Sequence, residues 1–384
     1  MPDKSIMFYT CYFPDLSKLK GRLPVEYIKS EVSSTGYFLL SGLGPTTCIL
    51  TLKHELSYHH EMDIQEIFRL YDPELRIIEE RLQDLFKSTV PPIPLIGKHL
   101  VEGGGKRIRP LLLILSAEMA GYKGDARLTL GGIIESIHTA SLLHDDVVDA
   151  AEARRGKIPA HSIWGNQVVI LVGDFLYSNA LHLAVLQKNQ KIMEILSEAT
   201  TRMTEGEILQ LTKTGDPNIS EEDYFKIISA KTGALISAAC GIGAILGSLP
   251  EEKFNALSNF GMKTGIAFQV ADDILDYMAD EKKLGKRLGK DLKEGKITLP
   301  LIYLLKIASD DEIDEVKRII SDSFSKEDLK KILELFKKHN VIDLSLKKAC
   351  DLLYDAKTEL AIFNNSPVKD SLFAVADYML ARGK

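Results

Sequence analysis

The stretch LLHDDVVDAAEARRG, Leu142–Gly156, sets three aspartates within five residues directly after an apolar helical run, then adds Arg154 and Arg155. Read as a helix, it stacks Asp145 and Asp149 one turn apart on one face, with Asp146 beside them. Like charges at that spacing repel. Carboxylates so arranged make a poor structural element and a good site for hard divalent cations. Mg²⁺ takes oxygen ligands, keeps several waters, and bridges one or two carboxylates to substrate phosphates. One such cluster is equally well an exposed acidic turn, but a second copy changes the reading. FQVADDILDYMAD supplies Asp272, Asp273 and Asp276 after another apolar helical run, with Asp280 one turn further on. Two DDxxD motifs on apolar helices describe two acidic walls with metal ions between them, which is a site for a diphosphate.

Such a site needs cations wherever the diphosphate charge exceeds what the metals neutralise. VEGGGKRIRPLLLIL supplies Gly103, Gly104 and Gly105, then Lys106, Arg107 and Arg109, just before a helix start at Pro110. A flexible backbone lets N–H groups converge on an anion, and a helix N-terminus adds a favourable dipole. It is no Walker A loop, because Arg107 stands where Ser or Thr is required and Leu100 where the first glycine is required. Arg154 and Arg155 form a second basic pair past the first aspartate helix. GKRLGKDLKEGKITLP, Gly285–Pro300, is a basic, Gly-rich loop past the second.

Smaller features carry two readings each. His138 lies seven residues before Asp145, about 20° round the helix, so it either touches ligand or is a satisfied core histidine. Lys231 and Thr232, in KTG, read equally as ligand contacts and as a helix cap. Gln269, one turn before Asp273, bonds either a substrate or a neighbouring helix. His161, Trp164 and His182 read as packing residues. Neither a Ser–His–Asp or Cys–His arrangement nor a dinucleotide fingerprint is present.

These residues need long helices to hold them. From Met62 onward apolar residues recur three and four apart, predicting helices over 62–88, 93–102, 108–121, 125–151, 161–187, 189–213, 220–247 and 251–280, with shorter ones to 383. That is one all-α domain, 62–384, larger than most. Residues 1–61 mix Gly, Pro, Ser, Thr and β-formers without helical period. They read as a poorly structured extension: a segment ordered on contact, disorder, or a mis-assigned start. The net charge of −6 leaves no basic face for nucleic acid. Four scattered cysteines without a C-x-x-C pair read as reduced cytoplasmic thiols. No apolar run reaches the roughly 20 residues of a membrane span. ALISAACGIGAILG, Ala234–Gly247, reads as a close-packed core helix, and the N-terminus lacks a signal-peptide cleavage site.

In combination, GGGKRIRP, LLHDDVVD with RRG, GDFL, KTG, FQVADDILD and GKDLKEGKITLP resemble the trans-isoprenyl diphosphate synthases, in particular the bacterial long-chain, octaprenyl-type polyprenyl synthases. The resemblance covers Met62 to the C-terminus. It implies an isoprenoid synthase-type helical bundle around a deep central cavity, usually as a homodimer. It implies an allylic diphosphate held through about three Mg²⁺ by Asp145, Asp149 and Asp272. Arg154, Lys231, Thr232, Gln269 and Lys286 would help bind that substrate, with Lys231 counted among the catalytic groups. Isopentenyl diphosphate would sit on Lys106, Arg109, His138 and Arg155. One departure is Arg287, where the family commonly has proline. The implied reaction is a head-to-tail condensation giving an all-trans long-chain polyprenyl diphosphate. The apolar product implies transient membrane contact on release, although no anchor is evident.

Chain length would be read before Asp145, where a growing chain runs down the helix. Ala140 and Ser141 are small where short-chain members carry a bulky aromatic, and Ile137 and Ile134 follow below. The same small residues also suit close helix packing. Open positions there predict a long product and disfavour a C15 or C20 synthase. A class I terpene cyclase would not need the Lys106, Arg109 and Arg155 pocket. An HD-type phosphohydrolase, suggested by His144–Asp145, leaves the second aspartate motif unexplained, and a non-catalytic subunit usually loses one motif.

Overall fold

The computed structural model describes four strands between residues 8 and 52, and residues 63–101, 104–151, 153, 157–278, 288–321 and 325–381. Arg154, Arg155, Asp280, Lys286 and Arg287 therefore lie outside the described residues. The chain divides into two compact units, Met1–His60 and Glu61–Lys384.

The first unit holds β1 (Phe8–Tyr9), β2 (Val25–Ile28), β3 (Gly36–Leu40) and β4 (Ile49–Leu52) in one sheet of order β1-β4-β3-β2. β1 pairs parallel with β4, and the other pairs are antiparallel. Their β-branched and aromatic content suits strands. The expectation of a poorly structured extension thus meets four short strands, whose connecting residues lie outside the described set.

The second unit is helical throughout its regular elements among the described residues. It runs α1 (Ile64–Leu70), α2 (Asp72–Asp84), α3 (Pro92–Val101), α4 (Ile108–Met119), α5 (Ala126–Val148), α6 (Ala160–Trp164), α7 (Asn166–Leu186), α8 (Gln190–Lys213) and α9 (Glu221–Ile228). A π-helical turn, Ser229–Gly233, joins α9 to α10 (Ala234–Leu246), and α11 (Glu251–Met278) follows. Then come α12 (Lys290–Lys293), α13 (Leu299–Ile307), α14 (Asp310–Ser321), α15 (Lys326–Lys338), α16 (Val341–Glu359) and α17 (Pro367–Ala381).

Two expected helices are broken in the structure. Helix 62–88 breaks at Tyr71, where Pro73 in the first turn of α2 suits a new start. Helix 161–187 breaks at Gly165, whose φ of 83° and ψ of 153° no continuing helix allows.

α5 packs on α2, α4 and α7, while α10 lies between α4, α8 and α11. Gly243 on α10 makes the close approach to α4 possible, since a Cβ there would come within 2.6 Å of the Ala117 backbone nitrogen. The core-helix reading of Ala234–Gly247 is borne out, because almost all of α10 is buried. The reading that no apolar stretch is long enough to span a membrane needs correcting. Asn166–Leu186 and Glu221–Leu246 both pass by length and composition. The second is 78% buried, as a core helix must be, whereas the first is only 33% buried.

Candidate active site

The first aspartate motif sits at the C-terminal end of its helix, and the second lies in the last described turns of α11. Asp145 and Asp146 occupy the last turn of α5, and Asp149 is its C-cap. The cap is a Schellman motif: Ala151 N–H donates to Asp146 O at 3.0 Å and Ala150 N–H to Val147 O at 3.3 Å. Ala150 takes the left-handed conformation (φ 46°) that glycine usually supplies. Asp272, Asp273 and Asp276 fill the last two turns of α11. A helix C-terminus carries partial negative charge, so carboxylates there are unfavourable and cations favourable, each by about 0.3–1 kcal/mol. The end of α5 and the carboxylate cluster of α11 thus create two places where a cation is wanted.

One short segment ties the two ends together. Gly289 N–H donates to the Asp276 carbonyl and Asp291 N–H to the Asp276 carboxylate, both at 2.9 Å. Lys296 N–H donates to Asp291 O at 2.8 Å, and Lys296 Nζ reaches Asp149 Oδ2 at 2.9 Å. Asp276 on α11 and Asp149 on α5 are therefore joined through one residue's backbone and one lysine side chain. Burial opposes the charge of Lys296, but its bonds to Asp149 and Glu294 outweigh that and hold the ammonium above its ordinary range.

The two adjacent aspartates of α11 do different work. Asp272 is exposed, while Asp273 is buried. Tyr224 Oη donates to Asp273 Oδ2 at 2.6 Å and Gln269 Nε2 to Oδ1 at 2.8 Å. Gln269 Oε1 in turn accepts from Thr232 Oγ1 at 2.7 Å. Burial, with Asp272 and Asp276 nearby, pushes the Asp273 carboxyl up to about 7 despite these bonds. Asp291 is raised by burial and by Asp273. Thr232 and Gln269 thus join a relay that buttresses the acidic end of α11.

Lys231 lies in the π-helical turn, not at a helix start. Its ammonium pairs with Glu207 and donates to Gln210 Oε1 at 2.8 Å, both on α8. Such insertions recur at functional sites. His144 Nε2 donates to Ile170 O at 3.2 Å and lies 3.2 Å from Asp174 Oδ1, so its ring is engaged with α7. Gly173 makes room for it, because a Cβ there would collide with the ring. That explains two residues of GDFL and removes the support for an HD-type reading.

The Gly-rich loop leads into α4 through Gly104 (φ 64°) and Arg107 (φ 50°). Lys106 is exposed, with Nζ 4.5 Å from the Tyr378 ring centroid, and Arg109 is half-buried. A cavity runs from the loop along α5, lined by Arg107, Glu135, His138, Thr139, Leu142 and Asp146. It places His138 between the basic loop and the first acidic motif. Ser141 is half-buried and its hydroxyl donates to His138 O at 2.9 Å. Ala140 packs in an apolar cluster with α2, α3 and α7, whereas Ile134 and Ile137 pack in another with α8 and α10.

Among the described residues no three His, Cys, Asp or Glu side chains converge on one metal position. An all-protein cage would need such a cluster. Mg²⁺ does not: it completes its octahedron with water and substrate phosphate oxygens. The hard carboxylate donors Asp145, Asp149 and Asp272 fit that mode. Sequence reasoning missed Lys296, Tyr224, Glu207 and Gln210. Lys296 was visible inside GKDLKEGKITLP, but nothing in its spacing marks it as the partner of Asp149.

A helical bundle with paired acidic helix ends beside a basic Gly-rich loop defines a class of enzyme that handles diphosphates. The polyprenyl synthetase family matches residues 91–336, and the chain belongs to it. An octaprenyl diphosphate synthase of Haemophilus influenzae is 37% identical over 82% of this chain and 96% of its own length. One from Escherichia coli is 35% identical over 84% of this chain and all of its own. The crystal structure of a polyprenyl synthase from Caulobacter crescentus, complexed with calcium and isoprenyl diphosphate, superposes with a TM-score of 0.80. It is 37% identical and covers 85% of this chain and 100% of its own.

Proposed function

We propose that this chain condenses isopentenyl diphosphate head-to-tail with an allylic diphosphate, making an all-trans long-chain polyprenyl diphosphate and releasing diphosphate. The observation that carries this is the link through Lys296 between the acidic ends of α5 and α11. Asp145, Asp149 and Asp272 would hold Mg²⁺, which supplies electrostatic stabilisation of the leaving diphosphate when bound. Lys231 and Lys296 add fixed positive charge beside that leaving group. Lys106, Arg109 and His138 hold the isopentenyl diphosphate so that its double bond faces the carbon being ionised. The bond to the diphosphate breaks, the double bond attacks the allylic cation, and a proton is lost to the departing diphosphate. This chemistry needs no nucleophile and no tuned protein base.

The test is direct. Purified chain is incubated with isopentenyl diphosphate, farnesyl diphosphate and Mg²⁺, and the products are separated by length. Elongated prenyl diphosphates of about C30 to C50 are expected on the electrostatic mechanism described. Cyclic hydrocarbon, free phosphate alone, or no product without a partner chain would each overturn the reading.

A further inference from the structure

We propose that Arg107 is a positioning residue for isopentenyl diphosphate: its guanidinium straps the Gly-rich loop to α5 and α2, setting where Lys106 and Arg109 stand relative to His138. This rests on the function proposed above. Arg107 is the N-cap of α4 and adopts φ 50°, ψ 39°. A bulky side chain rarely takes that conformation, and it persists only where the surroundings enforce it. Here the enforcing contacts are visible. Nη1 donates to Glu135 Oε1 at 2.9 Å and Nη2 to Glu79 Oε1 at 3.0 Å, while the residue is only 8% exposed. Glu135 is buried one turn before His138 on α5, and Glu79 lies on α2. The fork therefore fixes the loop to the helix that carries His138, from the residue between Lys106 and Arg109. Arg107, Glu135 and His138 line the same cavity. The charge on Arg107 is secure: burial opposes it, but Glu135 and Glu79 overcome that and raise the group above its ordinary value. A lysine would keep the charge but not the two-pronged geometry.

The experiment compares Arg107→Lys, Glu135→Gln and Glu79→Gln with the unmodified chain, measuring KM for each substrate separately, kcat and thermal midpoint. Loss of positioning is expected to raise KM for isopentenyl diphosphate about tenfold or more in Arg107→Lys and Glu135→Gln. KM for farnesyl diphosphate should stay within about twofold, since uniform damage would move both. A lowered thermal midpoint with both KM values unchanged, or both raised together, would overturn the proposal by showing a merely structural role. Should the buried variants fail to fold, Glu79→Gln decides, because Glu79 is 37% exposed and leaves the Glu135 arm in place. It should raise the same KM in the same direction by less, and an unchanged value would overturn the proposal. Failure of the unmodified chain to elongate would instead overturn the proposed function.

Discussion

At the scale of single residues, the two aspartate motifs carry repulsion that a bound divalent cation relieves. Asp145 lies in the last turn of α5, at its negative end, and Asp272 stands beside Asp273 and Asp276 on α11. Replacing either by alanine is expected to lower turnover by several orders of magnitude while leaving the apo protein as stable as before or slightly more so. Steady-state rates at saturating Mg²⁺, with thermal melting in its absence, check both halves. Near-normal turnover in either variant would end the metal assignment. The aspartates were legible because carboxylates at helical spacing have few structural uses. The division of labour between Asp272 and Asp273 was not, because neighbours on a helix differ by about 100° in direction. Which of them faces the core depends on Tyr224, forty-nine residues away. Arg107 was hidden for the same reason, since its partners Glu79 and Glu135 are each twenty-eight residues distant.

At the scale of elements, apolar periodicity located the helices from α1 to α11 closely, and the breaks at Tyr71 and Gly165 came from local chemistry that periodicity does not encode. Direction around α5 was less legible. The expected chain path placed Ile137 and Ile134 below Ser141, yet Ala140 belongs to a different apolar cluster from those isoleucines. The structure therefore separates two substitutions that looked alike. Ala140→Phe must enter a closed cluster, at a cost of about 1–3 kcal/mol from overpacking. Ser141→Phe starts from a half-buried position and is the cleaner probe. It is expected to shorten the product to C15 or C20 without abolishing the first condensation, as product chromatography would reveal. Unchanged length would remove Ser141 from the chain's path. A second element-level expectation concerns α14 and α15. Glu312 accepts from Lys338 Nζ at 2.6 Å, from Ser309 N at 3.0 Å and from His339 Nε2 at 2.9 Å. Lys338 and Ser309 hold its carboxyl at about 2, below an ordinary 4.5. A carboxyl lowered in the folded state stabilises it above pH 4.5, and that stability is lost as pH falls toward 2. The thermal midpoint of the unmodified chain should therefore fall more steeply over that range than that of Glu312→Gln. Parallel curves would show that the link contributes nothing.

At the scale of the whole molecule, the division at Glu61 and the exposed face of α7 make separate demands. Residues 1–61 have no counterpart in the part of the chain that the family matches, 91–336, and Met1–His60 is a unit by itself. A chain starting at Met62 is expected to fold and turn over like the full chain, as circular dichroism and the elongation assay would show. Loss of soluble protein or of activity would mean that the extension supports the domain. α7 poses the second demand. It has a mean hydropathy of 1.7, but only a third of it is buried, and Leu171 and Val185 are 66% and 56% exposed. Leu171, Asp174, Ser178, His182 and Val185 recur three and four apart, so they share one face. Asp174, Ser178 and His182 within that face suit a protein partner better than lipid, where polar and charged groups are costly. We propose a second copy of the chain as that partner, because a twofold interface brings the same face to itself. Sedimentation equilibrium should then give about twice the chain mass of 42.7 kDa. Leu171→Asp should shift that mass toward the monomer with little effect on the folded chain, since exposed substitutions usually stay within about 0.5 kcal/mol. A monomeric unmodified chain, or a dimer indifferent to Leu171→Asp, would exclude α7 as the interface.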